Sequence, residues 1–109
     1  MATGPRSSPT PLLMEFLVQI QVSLPADMPP DDRERLVEQE RSRGLALKRS
    51  GVIVRIWRIP GRTANVGIWR AEDATALHEA IASLPLFPWL DANVTPLARH
   101  PLESDGPII

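Results

Sequence analysis

Between Met14 and Leu24 the chain alternates: Phe16, Val18, Ile20, Val22 and Leu24 fall on one side, Glu15, Leu17, Gln19, Gln21 and Ser23 on the other. A period of two marks a strand with one face buried. The run "PADMPPDD" breaks this pattern and offers Asp31 or Asp32 as N-cap of a helix expected over 31–50, with Gly51 closing it. Leu36, Val37, Gly44 and Leu47 gather on one side of that helix, the side expected to meet a sheet. Residues 52–71 hold two strand-like runs around Pro60 and Gly61, a pair suited to the centre of a tight turn, which predicts a β-hairpin. A second helix is expected from Asp73, with Leu77, Ala80, Ile81 and Leu84 as its apolar stripe and Pro85 as its stop. "DANVTPLARH" gives a last strand whose proline suits a sheet edge. The order β-α-β-β-α-β predicts an α+β, ferredoxin-like fold, an antiparallel sheet with both helices on one face.

Such a sheet leaves its other face open, and Leu17 with the tryptophans of the hairpin are expected there. Burial against another copy is the natural remedy, so a homo-oligomer is expected. For Trp57, Trp69 and Trp89 the plain expectation is core or subunit interface, with ligand contact as the alternative.

At 109 residues the chain makes one domain. Residues 1–13, rich in Pro, Ser and Thr, are expected to be a disordered extension that is not a signal peptide, with Met14 a candidate start. The folded domain is expected over 14–101, and 102–109 as a polar tail. A net charge of -1 without a basic stripe argues against nucleic acid, and no apolar run reaches the roughly 18 residues that span a bilayer. The absence of cysteine removes thiol chemistry and suits a reducing cytoplasm. His78 and His100 are not spaced as a helical metal pair, and no dinucleotide or phosphate loop is present, so neither metal nor cofactor is expected.

One residue breaks the pattern of the first helix. Glu40 falls on its apolar side. A carboxylate there is costly to bury unless paired, and burial raises its pKa toward the range of a general base. Two readings stand: an acid-base group beside the hollow left by Gly44, or a structural carboxylate that pairs with Arg55 or Arg58 or reaches water. Arg55 and Arg58 differ in parity, so only one of them easily shares the side of Glu40. Asn65 either donates to an oxyanion or satisfies a backbone group. His78 reads as a helix-edge residue and His100 as part of an exposed C-terminal arm.

The segments "MEFLVQIQVSLP", "EQERSRGLALKRSG", "WRIPGRTAN", "ALHEAIASLPLFPWLD" and "RHP" resemble, in this order and spacing, the muconolactone isomerase family over residues 14 to 101. The resemblance implies a cofactor-free 1,3 proton shift that turns muconolactone into 3-oxoadipate enol-lactone, in the β-ketoadipate route of aromatic breakdown. It also implies rings of dimers, typically decamers. Glu40 matches the family's helix carboxylate and Asn65 its "AN" pair, which implies a base that later returns the proton and a donor to the enolate oxygen. Arg58, with Arg55 as substitute, is then expected on the substrate carboxylate. Phe87 and Trp89 of "LPLFPW" are expected to wall the lactone from water or to join subunits, and His100 to cover a pocket from the arm. Where the family tends to carry histidine, lysine, histidine and tyrosine, this chain has Leu17, Gln19, Arg55 and Thr63, and it has no tyrosine at all. These departures, expected near the site, leave room for a related lactone. The alternative is a non-catalytic or differently employed ligand-binding oligomer on the same scaffold. It predicts Glu40 exposed or locked in an ion pair, whereas the isomerase predicts Glu40 in a closed pocket near Asn65 or an arginine.

Overall fold

The computed structural model describes residues 12–103. Most of the expected extension, residues 1–11, and most of the expected tail, 104–109, lie outside that range. Strand β1 (Met14–Val22) leads to helix α1 (Pro30–Arg49), hairpin strands β2 (Ile53–Arg58) and β3 (Ala64–Ala71), helix α2 (Ala74–Ala82), a 3-10 turn (Phe87–Trp89) and strand β4 (Leu90–Leu97). A second 3-10 turn covers Pro101–Glu103. The sheet runs β2-β3-β1-β4 with every neighbouring pair antiparallel, the ferredoxin-like arrangement.

Local chemistry explains most boundaries. The N-cap of α1 is Pro29 and not Asp31 or Asp32, and no side chain caps the helix. Pro30 fixes a helical φ without needing an N–H partner and forces Pro29 into extended backbone, so the helix starts there. Asp31 and Asp32 sit inside the first turn, against the positive end of the helix dipole. At the other end Gly51 has φ +87°, and the N–H groups of Gly51 and Val52 donate to the carbonyls of Lys48 and Leu47. In α2 the Asp73 carboxylate accepts the Ala76 N–H at 2.8 Å, a cap whose truncation costs about 1 kcal/mol. The hairpin turns on Ile59–Arg62, closed by Arg62 N–H to Ile59 carbonyl at 3.2 Å, with Gly61 at φ +77°. That is the positive φ a type II turn needs at its third residue.

The core lies between the helices and one sheet face. Phe16, Val18 and Ile20 from β1 meet Ile53 and Trp69 from the hairpin, Leu47 from α1, and Leu77, Ile81 and Leu84 from α2 and its exit. The stripe of α2 is buried as expected. That of α1 is less complete: Leu36 and Gly44 are half-buried and Val37 is 49% exposed, so Val37 does not meet the sheet.

The open face carries Leu17, Gln19, Arg55, Trp57, Val66 and Ile68, matched across the strands by register. Trp57 is 46% exposed there, with the Arg55 guanidinium 4.9 Å from its ring centre. Trp69 corrects the expectation for the hairpin tryptophans, because it pairs with Phe16 and is 1% exposed in the core. A bulge between Ile53 and Arg55 turns the rest of β2 over, leaving Ile53 under the helices and Arg55 and Trp57 on the open side. Residues 91–97 of the edge strand β4, which include Pro96, are all exposed, so none of the described helices covers that margin.

Candidate active site

Glu40 and the ends of β2 and β3 enclose a cavity of about 460 Å³. Its polar members are Arg33, Glu40, Arg58, Thr63 and Asn65, and Val22, Leu24, Val37, Ile56 and Leu86 supply most of its apolar wall. Register explains the grouping: Arg58 pairs with Asn65, and Asn65 with Ile20, so these side chains share the helix-covered side. Arg55 lies on the opposite face, as the parity argument requires of one of the two arginines. The expected closed pocket is not seen in the single chain: the cavity opens to solvent past Val37, Trp57 and the two arginines.

Glu40 is half-buried and its Oε1 accepts the backbone N–H of Leu86 at 2.9 Å. Among the described residues no cation is within ion-pair distance of it; the ion pairs there are Arg35 with Asp32 and Arg70 with Glu15. Burial pushes its pKa up, and the Leu86 hydrogen bond offsets part of that rise by favouring the charged form. A carboxylate held by one N–H, with apolar wall beside it and no counterion, keeps lone pairs free for a proton on a ligand.

Asn65 is the second unusual group. Its Oδ1 is buried and has no hydrogen-bond partner among the described residues. A buried carbonyl oxygen without a partner calls for an explanation, and Asn65 is one of the residues that line the cavity. Rotation of the amide by a half-turn exchanges Oδ1 and Nδ2, so the side chain offers a donor or an acceptor at that point.

Besides Arg55, three more expected site residues stand away from the cavity. Successive turns, Phe87 N–H to Leu84 carbonyl at 2.9 Å and Trp89 N–H to Leu86 carbonyl at 2.8 Å, bury Leu84 and Leu86 and rotate their aromatic neighbours away. Phe87 stands edge-on to His78 with ring centres 6.0 Å apart, and Trp89 lines a separate groove with Met28 and Leu36. Thus Leu86, not Phe87 or Trp89, is what "LPLFPW" presents to Glu40. His100 accepts the Leu102 N–H at 3.0 Å and lines a cleft of about 1010 Å³ between the two ends of the described chain. That cleft is larger than the Glu40 cavity, but one of its two acids, Glu15, is paired to Arg70 at 3.0 Å.

Sequence reasoning passed over Arg33 and the Leu86 N–H. Arg33 was legible, since it precedes Val37 and Glu40 at i, i+4 and i+7 on one helix side. The Leu86 contact was not, because nothing local ties residue 86 to residue 40. Among the described residues no group of three or more His, Asp or Glu is placed to hold a metal ion, and no helix is long and apolar enough to cross a membrane. Of the departures noted above, Leu17, Gln19 and Arg55 lie on the open face and only Thr63 lines the cavity. The expectation that all four fall near the site is corrected by strand parity.

Comparison with known proteins bears on this arrangement. The family model for muconolactone delta-isomerase matches residues 14–103. A muconolactone delta-isomerase of Pseudomonas aeruginosa is 40% identical over 88 residues, covering 81% of this chain and 92% of that protein. Muconolactone delta-isomerase 2 of Acinetobacter lwoffii is 39% identical over 87 residues, covering 80% and 91%. A crystal structure of muconolactone isomerase superposes with a TM-score of 0.76 at 39% identity, covering 81% of this chain and 92% of that one. With the fold, the segment spacing and these matches in agreement, the chain belongs to the muconolactone delta-isomerase family.

Proposed function

We propose that this protein is a cofactor-independent isomerase that moves a proton within muconolactone, or a closely related unsaturated γ-lactone, to give 3-oxoadipate enol-lactone. Family membership supports the reaction class, and the observation that carries the residue assignment is Glu40, half-buried and without a counterion in the cavity that holds Asn65 and Arg58. In the proposed cycle the Glu40 carboxylate takes the hydrogen from the ring γ carbon. The electrons left behind delocalise through the double bond onto the lactone carbonyl oxygen, giving a dienolate. The same carboxyl then returns the proton to the α carbon, so the double bond moves one position and no atom is gained or lost. A single group serves both steps if both carbons present one face to it.

Each neighbour has a role in this reading. Asn65 donates to the dienolate oxygen, where a fixed donor acts on charge that develops only during reaction. Arg58 holds the acetate arm. Leu86 positions the carboxylate through its N–H and, with Val37 and Ile56, keeps water from the reacting carbons. The raised pKa brings the Glu40 carboxyl closer to the acidity that a shuttled proton requires.

The proposal includes an assembly and a compartment. The open face with Leu17, Val66, Ile68 and Trp57, and the uncovered strand β4, are suited to burial between copies. A neighbour's aromatic loop, carrying Phe87 and Trp89, or its arm, carrying His100, would complete the cavity's missing wall in such an oligomer. A cysteine-free chain suits the cytoplasm. The test is conversion of muconolactone by the purified oligomer, followed by NMR in water. Enol-lactone formation at a rate proportional to enzyme is expected, and an unchanged lactone spectrum contradicts the assignment.

A further inference from the structure

Arg33 has no part in the scheme above, yet it lines the same cavity. It lies seven positions before Glu40 on α1, about 10 Å along the axis at the usual rise, with Val37 between them on the same side. Arg58 lines the cavity from the end of β2. Among the described residues neither guanidinium belongs to an ion pair: the paired acids are Asp32, held by Arg35, and Glu15, held by Arg70, while Glu40 takes the Leu86 N–H. The cavity therefore carries two cations and one acid. Arg33 also sits near the positive end of the helix dipole, where a cation is disfavoured, so helix stability does not account for it. Two arginines lining one cavity can hold a carboxylate between them by charge-assisted hydrogen bonds.

We propose that Arg33 is a specificity-determining residue, the outer half of a two-arginine clamp that holds the substrate carboxylate with Arg58 as the inner half. The inference rests on the reading of the site as a lactone isomerase's and deepens it: the clamp selects γ-lactones that carry an anionic arm over neutral ones. Glu40 meets the ring at one end of the cavity, and Arg33 meets the arm at the other.

The experiment compares muconolactone with its methyl ester, which keeps the ring and lacks the charge, in wild type, Arg33→Ala, Arg33→Lys and, as a control outside the cavity, Arg35→Ala. Arg33→Ala raises KM for the acid about tenfold, the loss expected for one charge-assisted hydrogen bond, while kcat falls far less. The ester's kcat/KM changes by less than about twofold, because the ester has no carboxylate to lose. Arg33→Lys restores most of the acid's KM, and Arg35→Ala leaves it in place. An unchanged KM for the acid, or equal losses on acid and ester, overturns the clamp. Calorimetry with the saturated γ-lactone bearing an acetate arm separates this inference from the reaction it rests on. If wild type fails to turn over muconolactone but binds that acid about tenfold more tightly than Arg33→Ala does, the reaction is misassigned and the clamp stands. Equal binding, or none, overturns the clamp itself.

Discussion

The two faces of the sheet are built from the same strands and treat their residues in opposite ways. Under the helices Phe16, Val18 and Trp69 are almost wholly buried, and the margin of that layer holds Glu40, Arg58 and Asn65 in one cavity. On the open side Trp57 stands half in solvent beneath the Arg55 guanidinium, with Leu17, Val66 and Ile68 around it. The first face is settled by contacts within the chain. The second is an apolar surface with a polar fringe, and three of the four departures from the family's pattern fall on it. Leu17, Gln19 and Arg55 therefore lie on the face where copies are proposed to meet, and Glu40 and Asn65 on the side of the cavity.

The contrast breaks most sharply at the two tryptophans. Trp69→Ala is expected to cost about 3–5 kcal/mol, because it empties the densest part of the core, and urea denaturation would register it as a lower midpoint. Trp57→Ala leaves the single chain's stability within about 0.5 kcal/mol and lowers the oligomer's mass in sedimentation. Equal stability losses at the two positions would contradict the division of the faces. Next in size, Asn65→Ala should lower kcat by about 10²–10³, the usual effect of removing an oxyanion donor, with the circular dichroism spectrum unchanged. A kcat within twofold of wild type would return Asn65 to a structural role.

Gly67 tests the joint between the faces. A Cβ there would sit 2.6 Å from the Arg55 carbonyl oxygen, so Gly67→Ala must push the hairpin strands apart beside the Arg58 and Asn65 pair. We expect a loss of about 1–3 kcal/mol, read by thermal unfolding, together with a drop in kcat/KM. Full stability would show that the strands give way more easily than backbone contact allows.

The order of elements, the α2 cap and stripe, the Pro60-Gly61 turn and the edge position of β4 were legible because each rests on a local rule. Glu40 stood out for the same reason, as a polar residue on an apolar helix side. What was not legible depended on register and reach. The register set at the turn pairs Trp57 with Val66 and so puts it on the open face, while Trp69, three residues further along β3, falls in the core; the bulge at the start of β2 separates only Ile53 from Arg55. The direction of Phe87 and Trp89 depends on two consecutive tight turns, and Val37 is exposed because it lines the open cavity and does not pack in the core. The alternation of β1 already placed Leu17 on the open face, and the same parity puts Gln19 beside it, away from the cavity.

A smaller effect concerns pH. With its pKa raised by burial, Glu40 holds a proton in the folded chain at pH values where the unfolded chain has released it. Wild-type stability from this group therefore falls as pH rises from the ordinary glutamate value through the raised one. Glu40→Gln removes that loss: the variant should equal wild type in stability below this window and match or exceed it above, as read by Tm across a pH series. The same shift places the acid limb of the wild-type kcat/KM profile above the ordinary glutamate value, because the base must be ionised to act.

The central claim is that Glu40 carries the proton, and the most direct measurement is muconolactone turnover by wild type and by Glu40→Gln at matched oligomeric state. Loss of about 10²–10⁴ in kcat, in a variant as stable as wild type at neutral pH, is the predicted result. Turnover by Glu40→Gln at the wild-type rate would contradict it, leaving an isomerase whose base lies elsewhere.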